Sequence, residues 1–175
     1  MNAIHCTTID TPLGAVLLAA SGYGLRGVWF DGQRHFAGRK PEWIDGARHP
    51  VLRATADQLA AYFTGTLERF DVPLDAQGTP FQRAVWRAIA AIPYGATQSY
   101  AALAAAAGAP GAARAAGAAT GRNPLGIIVP CHRVVGAQGA LTGYAGGLPR
   151  KRALLALEAR QRPLLRDEAI AGAHA

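Results

Sequence analysis

Apolar residues in the first third of the chain come in short runs separated by turn-forming residues. Residues 3–9, 15–20 and 23–30 are broken by Thr11-Pro12-Leu13-Gly14 and by Ser21-Gly22, which predicts three strands joined by tight turns. From 35 to 49 the chain is polar and interrupted by Gly and Pro, the pattern of a loop. Leu52, Ala56, Leu59, Ala60 and Phe63 then recur at helical intervals, so a helix is predicted over residues 50–63. The alternation from Leu67 to Leu74 predicts a further short strand.

Asp75-Ala76-Gln77-Gly78 reads as a domain junction, and the pattern after it is helical. Thr79-Pro80 supplies an N-cap and an N1 proline, and Phe81, Val85, Ala88, Ile89 and Ile92 follow on one face. Pro93-Tyr94-Gly95 ends that helix. Thr97 or Ser99 caps a short one over 100–107, Gly108-Ala109-Pro110 turns the chain, and a second short helix covers 111–120. Two short helices about a Gly-containing turn make a helix-turn-helix. The apolar run 125–129 predicts a strand leading into Cys131 and His132, followed by a Gly-rich loop over 136–147 and a last helix over 149–158. The pattern therefore gives an α+β fold: a β-rich structural domain over 1–75, a helical domain over 79–160 and a flexible tail over 161–175.

Composition sharpens this picture in two ways. With 175 residues and 50% hydrophobic content the chain builds a real core. Its apolar runs fall short of the roughly 20 residues needed to cross a bilayer, so no membrane partner is expected. The first 20 residues lack a basic start followed by an apolar segment, so no signal peptide is expected either. Cys6 and Cys131 do not suggest a disulfide scaffold, and a reducing cytoplasm is the expected location. Cys6 is expected to pack in a strand. Charge is the second point: residues 1–79 carry 7 Lys and Arg against 8 Asp and Glu, whereas residues 80–175 carry 11 against 3. A basic half joined to a neutral half suggests a polyanion-binding module.

The candidate chemistry sits in Pro130-Cys131-His132-Arg133-Val134. A thiol becomes a nucleophile as thiolate, and a neighbouring base is the usual way to make one. Equally, free cysteine is among the most buried residue types, so a core thiol is the competing reading. Adjacent strand residues point to opposite faces, so direct contact between Cys131 and His132 needs a turn or a bridging water. The candidate recognition helix is made of Ala and Gly with Arg114 as its one long side chain, which excludes a sequence-reading regulator. Such a slim helix either packs inside a bundle or enters a minor groove only about 6 Å wide, with Arg114 probing the base stack. His5, Cys6, His35 and His49 are too scattered for a metal site, and no metal or other cofactor is expected.

In order along the chain stand Ile92-Pro93-Tyr94-Gly95, Ser99-Tyr100, Ala112-Ala113-Arg114-Ala115, Asn123-Pro124, Ile128-Val129-Pro130-Cys131-His132-Arg133-Val134, Gly143-Tyr144-Ala145-Gly146-Gly147 and Leu154-Leu155-Ala156-Leu157-Glu158. This set resembles the O6-alkylguanine-DNA alkyltransferases, or methylated-DNA–protein-cysteine methyltransferases, over about residues 81–158. The resemblance implies a ribonuclease-H-like α/β domain followed by a helical, winged-helix-like domain with a helix-turn-helix. It implies a monomer that binds double-stranded DNA in the minor groove and flips O6-alkylguanine, with O4-alkylthymine as an alternative lesion. The alkyl group would pass irreversibly to Cys131. By the same resemblance His132 is the base acting through a water, Glu158 polarises it, Asn123 steadies the active segment, and Tyr100 helps rotate the phosphate and protonates the departing guanine. Arg114 fills the gap left by the base, in a DNA-binding set with Tyr100, Ala112, Ala113, Gly117 and Thr120. Val134, Tyr144, Ala145, Gly146 and Gly147 are the implied pocket walls.

Two departures bear on specificity. Ala145 stands where many relatives carry Ser, which removes a hydroxyl, and Gly126 where some carry Pro, which implies a more open pocket mouth. The zinc site of some animal relatives is not matched. Two rival functions fit less well: a non-catalytic damage binder, against which Cys131 stands directly, and a cysteine hydrolase, which leaves the basic half unexplained.

Overall fold

The computed structural model describes residues 2–171, with side chains through residue 160. Strands β1 (His5–Thr11), β2 (Gly14–Ala20) and β3 (Leu25–Phe30) form an antiparallel meander. A two-residue strand β4 (Ile44–Asp45) adds parallel to β1, giving the order β3-β2-β1-β4. That strand lies in a stretch expected to be loop. Thr11 fixes the first hairpin: its hydroxyl donates to Gly14 O at 2.7 Å and accepts from Leu13 N at 3.1 Å. Gly14 closes the turn at φ 111°, a conformation side chains disfavour.

Helix α1 (Pro50–Phe63) packs on β1 and β2. Of the expected face, Leu52 and Leu59 are fully buried and Ala56 and Phe63 pack partly buried against the core, but Ala60 is exposed, and Thr55 and Tyr62 join the buried face instead. The reason is that both polar residues are satisfied inside. Thr55 Oγ1 donates to Val51 O at 2.7 Å, and Tyr62 finds a distant acceptor. The strand expected over 67–74 is also absent; a single parallel bridge joins Leu25 and Leu74. Pro73 has no N–H to give a ladder, and Gln58 holds the preceding segment by bonding both Asp71 O and Asp71 N.

Helix α2 (Pro80–Ala90) begins at a reciprocal capping box, with Thr79 Oγ1 accepting from Gln82 N at 3.1 Å and Thr79 N donating to Gln82 Oε1 at 3.0 Å. Strand β5 (Gln98–Ser99) leads into α3 (Tyr100–Ala106), which Ser99 caps through Ala102 N. Helix α4 (Ala113–Gly121) starts two residues later than expected, because Ala112 is not helical. Helices α2, α3 and α4 pack together, and the Trp86 indole donates to Ala119 O at 2.8 Å.

The expected strand at 125–129 is instead a chain of turns. Val28 N donates to Pro124 O, Gly126 N to Val28 O and Val129 N to Leu125 O, and Ile127 sits at φ 69°. Cys131–Arg133 is a 3-10 turn, after which β6 (Val134–Val135) pairs parallel with β5. The last helix, α5 (Leu148–Ala171), continues past the expected end at Glu158 and through Pro163, so residues 161–171, expected to be tail, are helical. The part of the expected flexible tail at 172–175 lies outside the described residues. One apolar core spans both halves, from Leu18 and Leu59 to Val85, Leu103, Leu125 and Leu154.

Candidate active site

Asn123 shapes the segment that carries the thiol. Its Nδ2 donates to Val129 O at 2.9 Å and its Oδ1 accepts from Leu125 N at 3.0 Å, so the apolar run is folded back on itself. Cys131 N donates to Val129 O, and the 3-10 turn then rotates successive side chains by about a third of a turn each rather than to opposite faces. This is how Cys131 and His132 escape the alternation of a strand. Both are buried.

Behind them stands Glu158 on α5. His132 Nε2 lies 2.8 Å from Glu158 Oε1, Arg133 donates from Nη2 to Oε1 at 2.8 Å and from Nε to Oε2 at 3.0 Å, and the Tyr62 hydroxyl donates to Oε1 at 2.9 Å. Burial alone would raise the Glu158 pKa, but hydrogen bonds from His132 and Arg133 outweigh it and hold the carboxyl down at about 2. An ionised carboxylate only accepts, so Nε2 must carry the His132 proton and Nδ1 keeps its lone pair. Nδ1 is buried and makes no hydrogen bond to any described residue. Burial lowers the His132 pKa against the pull of Glu158, and burial raises the Cys131 thiol, opposed by the Asn123 amide and the Lys151 ammonium. The resting pair is a neutral thiol and a neutral imidazole.

Lys151 itself is fully buried. Its Nζ donates to Val134 O at 2.6 Å, Gly143 O at 3.1 Å and Thr142 O at 3.2 Å, stitching α5 to β6 and to the glycine-rich loop. Cys131 lines a pocket of about 210 Å³ with Tyr100, Gly117, Thr120, Tyr144 and Ala145. Arg34 and His35, from the first half, border it too, and Arg34 N donates to Ala145 O at 3.0 Å. Tyr100 Oη donates to Thr142 O at 3.1 Å, and burial pushes its pKa up, keeping the phenol protonated. A methyl on Gly117 would meet the Tyr100 ring at 3.6 Å.

Not every expected residue reaches this pocket. Val134 is buried in β6, Gly146 packs under Tyr144 and Phe30, and Gly147 turns the chain into α5 at φ 91°. Ala112 and Ala113 are half-buried at the start of α4. Arg114 is exposed on α4 with no hydrogen bond to a described residue, so it is not a buried structural arginine.

The sequence model described as the 6-O-methylguanine DNA methyltransferase DNA-binding domain matches residues 80–160, and that of the same family's ribonuclease-like domain matches residues 4–76. The chain belongs to this family. The methylated-DNA–protein-cysteine methyltransferase of Mycobacterium tuberculosis is 51% identical over 160 residues, covering 91% of this chain and 95% of that one. The protein of the same name from Methanosarcina barkeri is 46% identical over 150 residues, covering 86% and 94%. Among solved structures, the Mycobacterium tuberculosis OGT in complex with DNA superposes with a TM-score of 0.82 at 50% identity, covering 90% of this chain and 94% of that one. The Methanococcus jannaschii O6-methylguanine DNA methyltransferase superposes at 0.64 with 26% identity, covering 87% and 93%.

In this methyltransferase-family chain, the residues that sequence reasoning missed are those joined to the site over long range. Tyr62 lies 96 residues from Glu158, and Arg34 and His35 lie in a loop with no motif. Arg133 stood inside a recognised segment and Lys151 between two of them, but a cation in or beside a motif gives no sign of burial.

Proposed function

We propose that this chain is a DNA-repair alkyltransferase acting as a monomer on double-stranded DNA. Cys131 Sγ takes the alkyl group from O6 of guanine, or O4 of thymine, in one irreversible turnover. The observation that carries this reading is a pocket thiol next in sequence to an imidazole whose buried Nδ1 makes no hydrogen bond to a described residue and whose Nε2 is fixed on an ionised carboxylate. The thiol proton passes through a water to His132 Nδ1. The thiolate attacks the alkyl carbon, forming S–C as C–O6 breaks, and the departing guanine takes a proton from Tyr100, replaced from the His132 imidazolium through solvent. The thioether is stable to water, and no second nucleophile follows.

In this reading residues 1–75 are the scaffold, and α3 and α4, within 79–160, act as a helix-turn-helix. Small side chains at Ala112, Ala113 and Gly117 admit α4 to the minor groove, Thr120 faces the extruded base, and Arg114 fills the vacated stack. Two free thiols suit a reducing cytoplasm.

The test is to mix alkylated duplex with protein and weigh the peptide containing Cys131. Mass gain that stops at one alkyl group per chain supports the transferase. Absence of gain means a binder, and continued product release means a hydrolase.

A further inference from the structure

Glu158 Oε1 accepts from three side chains, and one of them, Tyr62, belongs to the other half of the molecule. Tyr62 lies on α1, fully buried, with its ring edge-on to Phe63 and Tyr94 and tilted against Phe70. Aromatic packing on these sides leaves the hydroxyl one direction, toward the carboxylate 2.9 Å away. Burial and the neighbouring Glu158 push the phenol pKa far up, so it is a permanent donor. The other groups facing this carboxylate are His132 and Arg133 from the 3-10 turn, Gly95 N at 3.4 Å, and the phenols of Tyr94 and Tyr144. Lys151 and Arg133 face His132 as the opposing positive charges.

We propose that Tyr62 is a positioning residue for alkyl transfer, its hydroxyl fixing the Glu158 oxygen to which His132 Nε2–H is bonded and sharing that oxygen's electron density. The proposal rests on the reading of Cys131 as the alkyl acceptor. A third donor on Oε1 weakens the carboxylate's pull on the imidazole, so less of the proton affinity of the pair reaches His132 Nδ1. The base therefore stays unprotonated at a lower pH than Glu158 and Arg133 alone would allow. The first half of the chain, expected from the sequence to be scaffold alone, sets the working range of the relay.

Tyr62→Phe in the full chain keeps the ring and its packing and removes the hydroxyl. Single-turnover transfer to Cys131 is followed from about pH 5 to pH 9 with an O6-methylguanine duplex and with free O6-benzylguanine. The acid limb is expected to move up by about one pH unit, so that transfer on that limb falls about tenfold with both substrates. Site-specific Tyr62→3-fluorotyrosine, a stronger donor of nearly the same shape, is expected to move the limb the other way. A lower melting temperature with both pH profiles unmoved overturns the proposal and leaves Tyr62 a packing residue. Wild-type protein run alongside separates the two readings: mass gain at Cys131 there upholds the acceptor assignment whatever the variants do.

Discussion

An ionised carboxylate and a neutral imidazole joined by one short hydrogen bond set how this protein answers to acid. The Glu158 pKa is depressed from 4.5 to about 2, so its contribution to stability is present above pH 4.5 and is lost as pH falls toward 2, a swing of about 3 kcal/mol. His132 is depressed as well, so the unfolded chain takes up a proton first, and stability declines already as pH drops below the ordinary histidine value of 6.5. Both effects have the same sign. Melting temperature is expected to fall continuously from pH 7 to pH 4; a flat profile down to pH 5 would contradict a neutral buried imidazole. Cys131→Ala is expected to abolish transfer while leaving duplex affinity within about twofold, because the thiol makes chemistry and not phosphate contacts. Affinity lost in step with activity would count against the assignment.

At the scale of elements, α4 carries the sharpest test. Arg114→Ala removes an exposed side chain with no hydrogen bond to a described residue, so the fold is expected to keep its melting temperature. If Arg114 compensates a few kcal/mol of unstacking, duplex repair slows by one to two orders of magnitude, about tenfold for each 1.4 kcal/mol. The ratio of duplex to free-base rates measures this, and a ratio equal to wild type removes Arg114 from base extraction. Helices whose ends carry local signals were legible from sequence: Thr79-Pro80 and Ser99 start α2 and α3 where their caps predict. The run 125–129 was not, because strong β-formers there are overruled by the Asn123 side chain and two backbone turns. Periodicity found Leu52 and Leu59 on the buried face of α1 but not Thr55 and Tyr62, which become core residues through acceptors that a local pattern does not contain. Cys131, His132 and Glu158 were readable because each sits in a contiguous motif; Tyr62, Arg34 and His35 join them only through folding.

For the whole molecule, the uneven charge governs the encounter with DNA. Residues 80–175 carry 11 Lys and Arg against 3 Asp and Glu, and Arg83, Arg87, Arg114 and Arg152 are exposed. Each phosphate contact releases counterions, so affinity is expected to fall steeply, by about tenfold or more between 50 and 200 mM salt. A flat response would move the DNA face elsewhere. One core and the Tyr62–Glu158 bond tie the halves together, which predicts a single unfolding transition by calorimetry and by fluorescence alike. The burial of Cys131 has a last consequence, which concerns shelf life. A protein consumed by one reaction is wasted by any peroxide or stray electrophile that reaches its sulfur first. Holding the thiol 6% exposed and protonated keeps the unused stock intact, and iodoacetamide should label Cys131 far more slowly than it labels an unfolded chain.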